Sequence, residues 1–311
     1  MKEAKLGTYE VVIIGGGPAG MTAGLYTTRS RFHTLLIENA LFGGQMTTTD
    51  LIENYPGFPQ VVSGEELSRL MEEQAKRFGL EIASEEVLEV TLEGEQKRVR
   101  TYESNYLSPA LIICTGTEYQ KLGVVGEKEF TGRGVSFCST CDGAFFQDRK
   151  IVVVGGGDSA LTEALYLTKF VKELTIIHRR DALRATKIYQ ERAQTHPKIK
   201  FLWNSVVQEI KGDNVVRSIL VKNVKTGETK EFETDGAFIF IGISPKTQFL
   251  KGFVEMDEAG YILTNTDCET SVKGVFAAGD CRKQLLRQIA TAVGDGATAG
   301  FAVEKYLERK E

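Results

Sequence analysis

Phe137-Cys138-Ser139-Thr140-Cys141-Asp142-Gly143 places the most reactive side chains of the chain at the tightest spacing. Two cysteines separated by two residues can close a small disulfide or open to a dithiol. Such a motif lowers a thiol pKa and suits exchange. The competing reading is half of a zinc site, which needs further ligands. Cys114, Cys268 and Cys281 are isolated, and His33, His178 and His196 show no ligand spacing, so no metal is expected. Asp142 has two readings. Asp-Gly is a good turn pair, and an acid beside a reactive cysteine can protonate a thiolate. Cys114 lies in an apolar run where a small buried thiol is common, and it is read with Cys268 and Cys281 as structural.

A thiol pair takes up two electrons, and two further motifs indicate where they come from. Val11-Val12-Ile13-Ile14 runs into Gly15-Gly16-Gly17-Pro18-Ala19-Gly20, and Ile151-Val152-Val153-Val154 runs into Gly155-Gly156-Gly157-Asp158-Ser159-Ala160. Each is a strand, a glycine turn and a helix start. The first glycine makes the tight turn, and the second lets the backbone approach a pyrophosphate. The third position, Gly20 or Ala160, lets the helix pack on the strand. The diphosphate then lies at the helix N-terminus, where free N–H groups favour an anion. The second strand of the first copy ends at Glu38, and that of the second at His178-Arg179-Arg180, at the same distance from the first glycine. A carboxylate there accepts hydrogen bonds from ribose hydroxyls. A 2′-phosphate is repelled by Glu38 and attracted by Arg179, Arg180 and Arg184. The halves therefore hold two different dinucleotides. A nicotinamide carrier with a 2′-phosphate, a second dinucleotide and a thiol pair make a relay in which a flavin converts hydride chemistry into thiol chemistry.

The elements that position these groups repeat as well. In the first half a helix is predicted from Gly64 to Gly79, strands near 87–92 and 97–103, and a buried strand at 110–114 that ends at Thr115-Gly116. In the second half a helix is predicted over 182–194 and strands near 200–203, 206–211 and 215–224, with a buried strand at 237–241 before Gly242. The chain continues through Ala277-Ala278-Gly279-Asp280 to a last helix predicted over 286–309. The fold class is α/β, with two Rossmann-like dinucleotide domains, the second inserted into the first. The boundaries are 1–118 plus 246–311 and 119–245. The two short crossings are a natural hinge. The 311 residues suit two domains. The net charge of −4 argues against a nucleic-acid binder. No apolar run approaches the ~18–20 residues of a membrane span, and the N-terminus lacks a signal-like apolar region, so a cytoplasmic location is expected.

Taken together, these motifs resemble the low-molecular-weight thioredoxin reductases along essentially the whole chain. The likeness rests on Gly15–Gly20, Gly43-Gly44-Gln45, Glu53-Asn54-Tyr55-Pro56-Gly57, Cys138-x-x-Cys141-Asp142-Gly143, Gly155–Ala160, His178-Arg179-Arg180 with Arg184, Ala278-Gly279-Asp280 and Arg287-Gln288. The resemblance implies FAD in the first, split domain, at Gly15, Gly17, Gly20, Glu38, Gly44, Gln45, Asn54, Thr115, Gly116, Gly279, Asp280, Arg287 and Gln288. It implies NADPH in the inserted domain, at Gly155, Gly157, Asp158, Ser159, Ala160, His178, Arg179, Arg180 and Arg184. It further implies an active disulfide Cys138–Cys141 with Asp142 as its acid, a homodimer, thioredoxin as client, and a rotation of the inserted domain. Ser139 stands where alanine is more usual, Leu286 where many members have Tyr, and Ile243 where His is often found. Alternatives on the same scaffold are a reductase for another redoxin or a peroxidase-linked disulfide, a ferredoxin–NADP reductase, and a catalytically silent nucleotide sensor.

Overall fold

The computed structural model describes residues 5–39, 42–49, 52 and 54–309. Glu53 and the side chain of Cys141 lie outside that description. The chain divides into two compact units, Met1–Glu118 with Ser244–Glu311, and Tyr119–Ile243.

In the first unit the short apolar runs become strands buried at every position: Val11–Ile14 (β1), Thr34–Ile37 (β2) and Ala110–Ile113 (β4). Continuous burial is what a parallel strand covered on both faces requires. With Glu81–Ala83 (β3) and Val275–Ala277 (β9) they form one parallel sheet in the order β3-β2-β1-β4-β9. Its last strand comes from beyond the second unit, so the sheet closes only after the inserted segment has returned. Helices Pro18–Arg29 (α1), Gly64–Lys76 (α2) and Ile289–Glu308 (α6) belong to this unit. A separate meander of Val87–Glu93, Gln96–Thr101 and Ser104–Ser108 is joined by Lys5–Thr8, which pairs parallel to Ser104–Ser108.

The second unit repeats the plan. Val135–Ser136, Gly236–Phe240 (β8), Lys150–Gly155 (β5), Glu173–Ile177 (β6) and Ile199–Leu202 (β7) lie in that order in one parallel sheet. Helices Ser139–Asp142 (α3), Asp158–Leu167 (α4) and Lys187–Thr195 (α5) accompany it. The crossing segments Thr117–Tyr119 and Ile243–Pro245 pair as a two-stranded sheet of their own.

Two helices begin later than their sequence pattern predicts. The helix predicted from 182 starts at Lys187, because residues before it turn back onto the second glycine loop. The last helix starts at Ile289 rather than 286, because Gln288 caps it reciprocally with Thr291, whose Oγ1 accepts the Gln288 N–H at 3.0 Å.

Small residues set how closely α1 meets its neighbours. A Cβ on Gly20 would lie 1.8 Å from the Gly15 carbonyl oxygen, and one on Gly296 of α6 would lie 2.2 Å from the Ala19 carbonyl oxygen. Both obstacles are backbone and cannot rotate away. Gly20→Ala is therefore expected to destabilise the protein by about 2–3 kcal/mol, read as a lowered thermal midpoint. Ala160→Gly, at the matching place in the second unit, should cost about 1 kcal/mol. Equal midpoints for Gly20→Ala and the parent would contradict the close approach.

Candidate functional site

The first unit gathers its polar groups at the C-terminal ends of β1 and β4, where the strand order reverses and open α/β sheets bind ligands. Gly15 has φ 109°, and a Cβ there would lie 2.3 Å from the Cys114 carbonyl oxygen. Gly17 is the extended N-cap of α1, with open space where a Cβ would stand. The loop carrying Gly44 and Gln45 folds over this turn. Gly43 N–H donates to the Gly16 carbonyl at 2.8 Å, and a Cβ on Gly44 would meet the Gly17 Cα at 3.5 Å. Glu38 accepts the Gly16 N–H at 2.7 Å, so its carboxylate stands at the turn. Gln45 Nε2 donates to Thr117 Oγ1 at 2.8 Å, and Asn54 Nδ2 donates to Gln288 Oε1 at 2.9 Å.

Gly279, at φ 78°, joins the same place, since its Cβ would lie 2.8 Å from the Ala19 Cβ. Burial pushes the neighbouring Asp280 carboxyl up to about 6, against the opposing pull of Arg287. Three residues that the sequence analysis does not single out, Asp295, Arg282 and Tyr261, brace this corner. Asp295 accepts the Gly279 N–H at 3.0 Å and pairs with Arg282 at 2.8 Å. Its place between two glycines inside a helix was a usable signal. Tyr261 lies under the Arg287 guanidinium, 4.0 Å from the ring centroid; nothing local in the sequence marks it. Buried Thr115 Oγ1 and Arg287 Nε lack a well-formed hydrogen bond. The Cys281 thiol comes near the Thr115 hydroxyl. Open glycine turns, a desolvated acid and unsatisfied donors suit a polar dinucleotide.

The second unit builds its turn the same way. Gly155 has φ 155°, and its Cβ would lie 2.3 Å from the Phe240 carbonyl oxygen. Gly157 is the extended N-cap of α4 with open space beside it, Ala160 is fully buried and Ser159 is exposed. The His178 ring lies against the turn, 2.4 Å from where a Gly156 Cβ would be. The following loop is pinned back onto the fingerprint. Arg184 N–H and Ala185 N–H donate to the Gly156 carbonyl at 2.8 and 3.2 Å, and Thr186 N–H donates to Asp158 Oδ1 at 2.6 Å. Arg179, Arg180 and Arg184 are exposed around His178. Burial lowers the pKa of that imidazole, and the charges of the three arginines lower it further, against the hydrogen bond to the Ala182 carbonyl. Trp203 stacks on Phe201 at 4.9 Å and meets the His178 ring edge-on at 6.3 Å.

Cys138 is disulfide-bonded and directly precedes α3. Ser136 Oγ accepts the Cys138 N–H at 3.0 Å and donates to the Cys138 carbonyl at 3.1 Å. Asp142 N–H donates to the same carbonyl at 3.2 Å and closes the helical turn. Thr140 Oγ1 lies 3.4 Å from Cys138 Sγ. Cys114, Cys268 and Cys281 are free and buried. Burial raises all three thiol pKa values, that of Cys114 well above the usual range and those of Cys268 and Cys281 to about 11. Among the described residues no group of three or more His, Cys, Asp or Glu side chains could hold a metal ion.

Residues 9–296 match the model of the pyridine nucleotide-disulphide oxidoreductase family. The chain is 50% identical to the thioredoxin reductase of Bacillus subtilis (strain 168) over 309 residues, which is 99% of this chain and 97% of the relative. The crystal structure of Lactococcus lactis thioredoxin reductase superposes with a TM-score of 0.94 at 48% identity, covering 97% of this chain and 99% of that one. The thioredoxin reductase of T. acidophilum follows with a TM-score of 0.91 at 37% identity, covering 98% and 99%.

Proposed function

Because this chain belongs to the pyridine nucleotide-disulphide oxidoreductase family, we propose that it is an NADPH-dependent flavoprotein that reduces the disulfide of thioredoxin. The observation that carries this reading is the bonded sulfur of Cys138, placed in the same unit as a dinucleotide turn ringed by Arg179, Arg180 and Arg184. The first unit is the FAD-binding domain, and its unsatisfied Thr115 and Arg287 donors and the desolvated Asp280 support that assignment. The second unit binds NADPH. FAD, when bound, supplies the two-electron couple that accepts hydride from NADPH and delivers electrons to sulfur.

The protein's own groups do the rest. Cys138 pairs with Cys141, and two electrons and one proton open the disulfide to a thiol and a thiolate. The thiolate attacks the thioredoxin disulfide, and the second sulfur then displaces reduced thioredoxin, which closes the enzyme disulfide again. Asp142, one turn from Cys138, holds the proton that the departing thiolate needs. A homodimer in the cytoplasm completes the proposal, by likeness to the family. No described helix is long and apolar enough to cross a membrane.

The purified protein should be yellow and release one FAD per chain on denaturation, and NADPH should bleach it. Coupled NADPH oxidation with the organism's own thioredoxin then tests the client. Release of no flavin overturns the flavoprotein assignment. Bleaching with no turnover by any thioredoxin overturns the client.

A further inference from the structure

One side chain of the redox helix has no part in the chemistry above. Ser139 stands between the two cysteines, is 1% exposed, and its Oγ is buried without a well-formed hydrogen bond. The group it approaches, as a donor, is the carboxyl of Glu163 on α4. Helix α3 packs directly on α4. Just beyond α3, Gly143 lies against Leu167 and Phe170, leaving its Cβ position 3.1 Å from the Leu167 side chain. An acid on one helix is thus seated, through one hydroxyl, against the turn that carries Cys138.

The carboxyl of Glu163 lies among packed atoms, although the residue keeps an edge in solvent. Desolvation pushes its pKa up to about 7, and the Ser139 hydroxyl pulls the other way. The charged side chains on the elements packed around α4 are Asp142 on α3, Lys187, Glu191 and Arg192 on α5, Lys150 on β5 and Glu173 on β6; β8 has none. None of these adds a Coulombic effect at Glu163.

We propose that Glu163 is a positioning residue for the redox pair: through Ser139 it takes up a proton when the disulfide opens and gives it back when the disulfide closes. This deepens the proposed function and rests on its exchange-active disulfide. With two electrons supplied by NADPH, the disulfide and one proton become a thiol and a thiolate. The Glu163 carboxylate and a second proton become a neutral acid, which removes the repulsion between carboxylate and thiolate. The sign follows. Well below neutral pH Glu163 is already neutral and has no effect. Well above it the carboxylate opposes opening of the disulfide.

The holoenzyme is equilibrated with oxidised and reduced glutathione from pH 5.5 to 8.5. Thiols are trapped, and the peptide spanning residues 138–141 is quantified by mass. Relative to the parent, Glu163→Gln should match at pH 5.5 and favour the dithiol about tenfold at pH 8.5, equal to about 30 mV for two electrons. Glu163→Asp should keep the parent's inflection. Ser139→Ala, which removes a hydroxyl that favours the carboxylate, should move the inflection to higher pH. Parallel profiles for parent and Glu163→Gln, or a Glu163→Asp profile that follows Gln, overturn the inference. Thioredoxin turnover with parallel profiles sinks this inference alone; the tenfold divergence without thioredoxin turnover sinks the client assignment alone.

Discussion

Cys138→Ser should lower thioredoxin turnover by roughly 10³-fold or more, the scale on which loss of a covalent nucleophile is felt, while NADPH still reduces the flavin. Hydride transfer to the flavin requires no thiol, so the first half of the relay survives. Serine occupies almost the same space as cysteine. The backbone of residue 138 keeps its own bonds to this turn, with Ser136 Oγ and with Asp142 N–H, when the sulfur is replaced. The helix turn should therefore persist, and loss of turnover reports chemistry rather than unfolding. Stopped-flow absorbance of the flavin follows the first half, and coupled NADPH oxidation with thioredoxin the second. A variant that keeps normal thioredoxin turnover would remove Cys138 from the mechanism.

The double variant Arg179→Ala, Arg180→Ala should lose about 100- to 200-fold in kcat/KM for NADPH and little for NADH. Charge-assisted hydrogen bonds are worth about 1.5–3 kcal/mol each, and the lower end applies because both side chains are exposed. The loop that presents them should stay in place. Its anchors are the main-chain N–H groups of Arg184, Ala185 and Thr186, none of which the substitutions touch. The single tryptophan gives a second readout, since Trp203 stands edge-on to His178 inside this corner. Its fluorescence should respond to NADPH at higher concentration in the variant than in the parent. Equal losses with both nucleotides would mark the arginines as structural.

Much of this was legible from short-range pattern. Apolar runs of four or five residues with a glycine at or just beyond their end marked β1, β4, β5 and β8, because a strand buried on both faces needs no alternation. The glycine turns were legible because each has a close backbone neighbour that a side chain would strike, and the sequence records that demand as glycine. What escaped depends on distant partners. The helix predicted from 182 starts at Lys187 because N–H groups of the preceding loop are diverted to Gly156 and Asp158, as far as 28 residues back in sequence. The strand Ser104–Ser108 alternates buried and half-buried positions, and its buried positions are Ser104, Tyr106 and Ser108, so it has no apolar signature. Tyr261 braces Arg287 across 26 positions of sequence that carry no pattern linking them.

An enzyme that moves electrons by breaking and remaking sulfur bonds carries a hazard: any other thiol on the chain is a place for the current to leak. Cys114, Cys268 and Cys281 are insulated against that. Burial raises the Cys268 and Cys281 thiols to about 11, so they stay protonated near neutral pH, and the thiolate is the species that attacks a disulfide. All three also belong to the packed core of the first unit, while Cys138 is in the second. A low thiolate fraction slows disulfide exchange at these three sites. The burial that stabilises the first unit also quiets the thiols packed inside it.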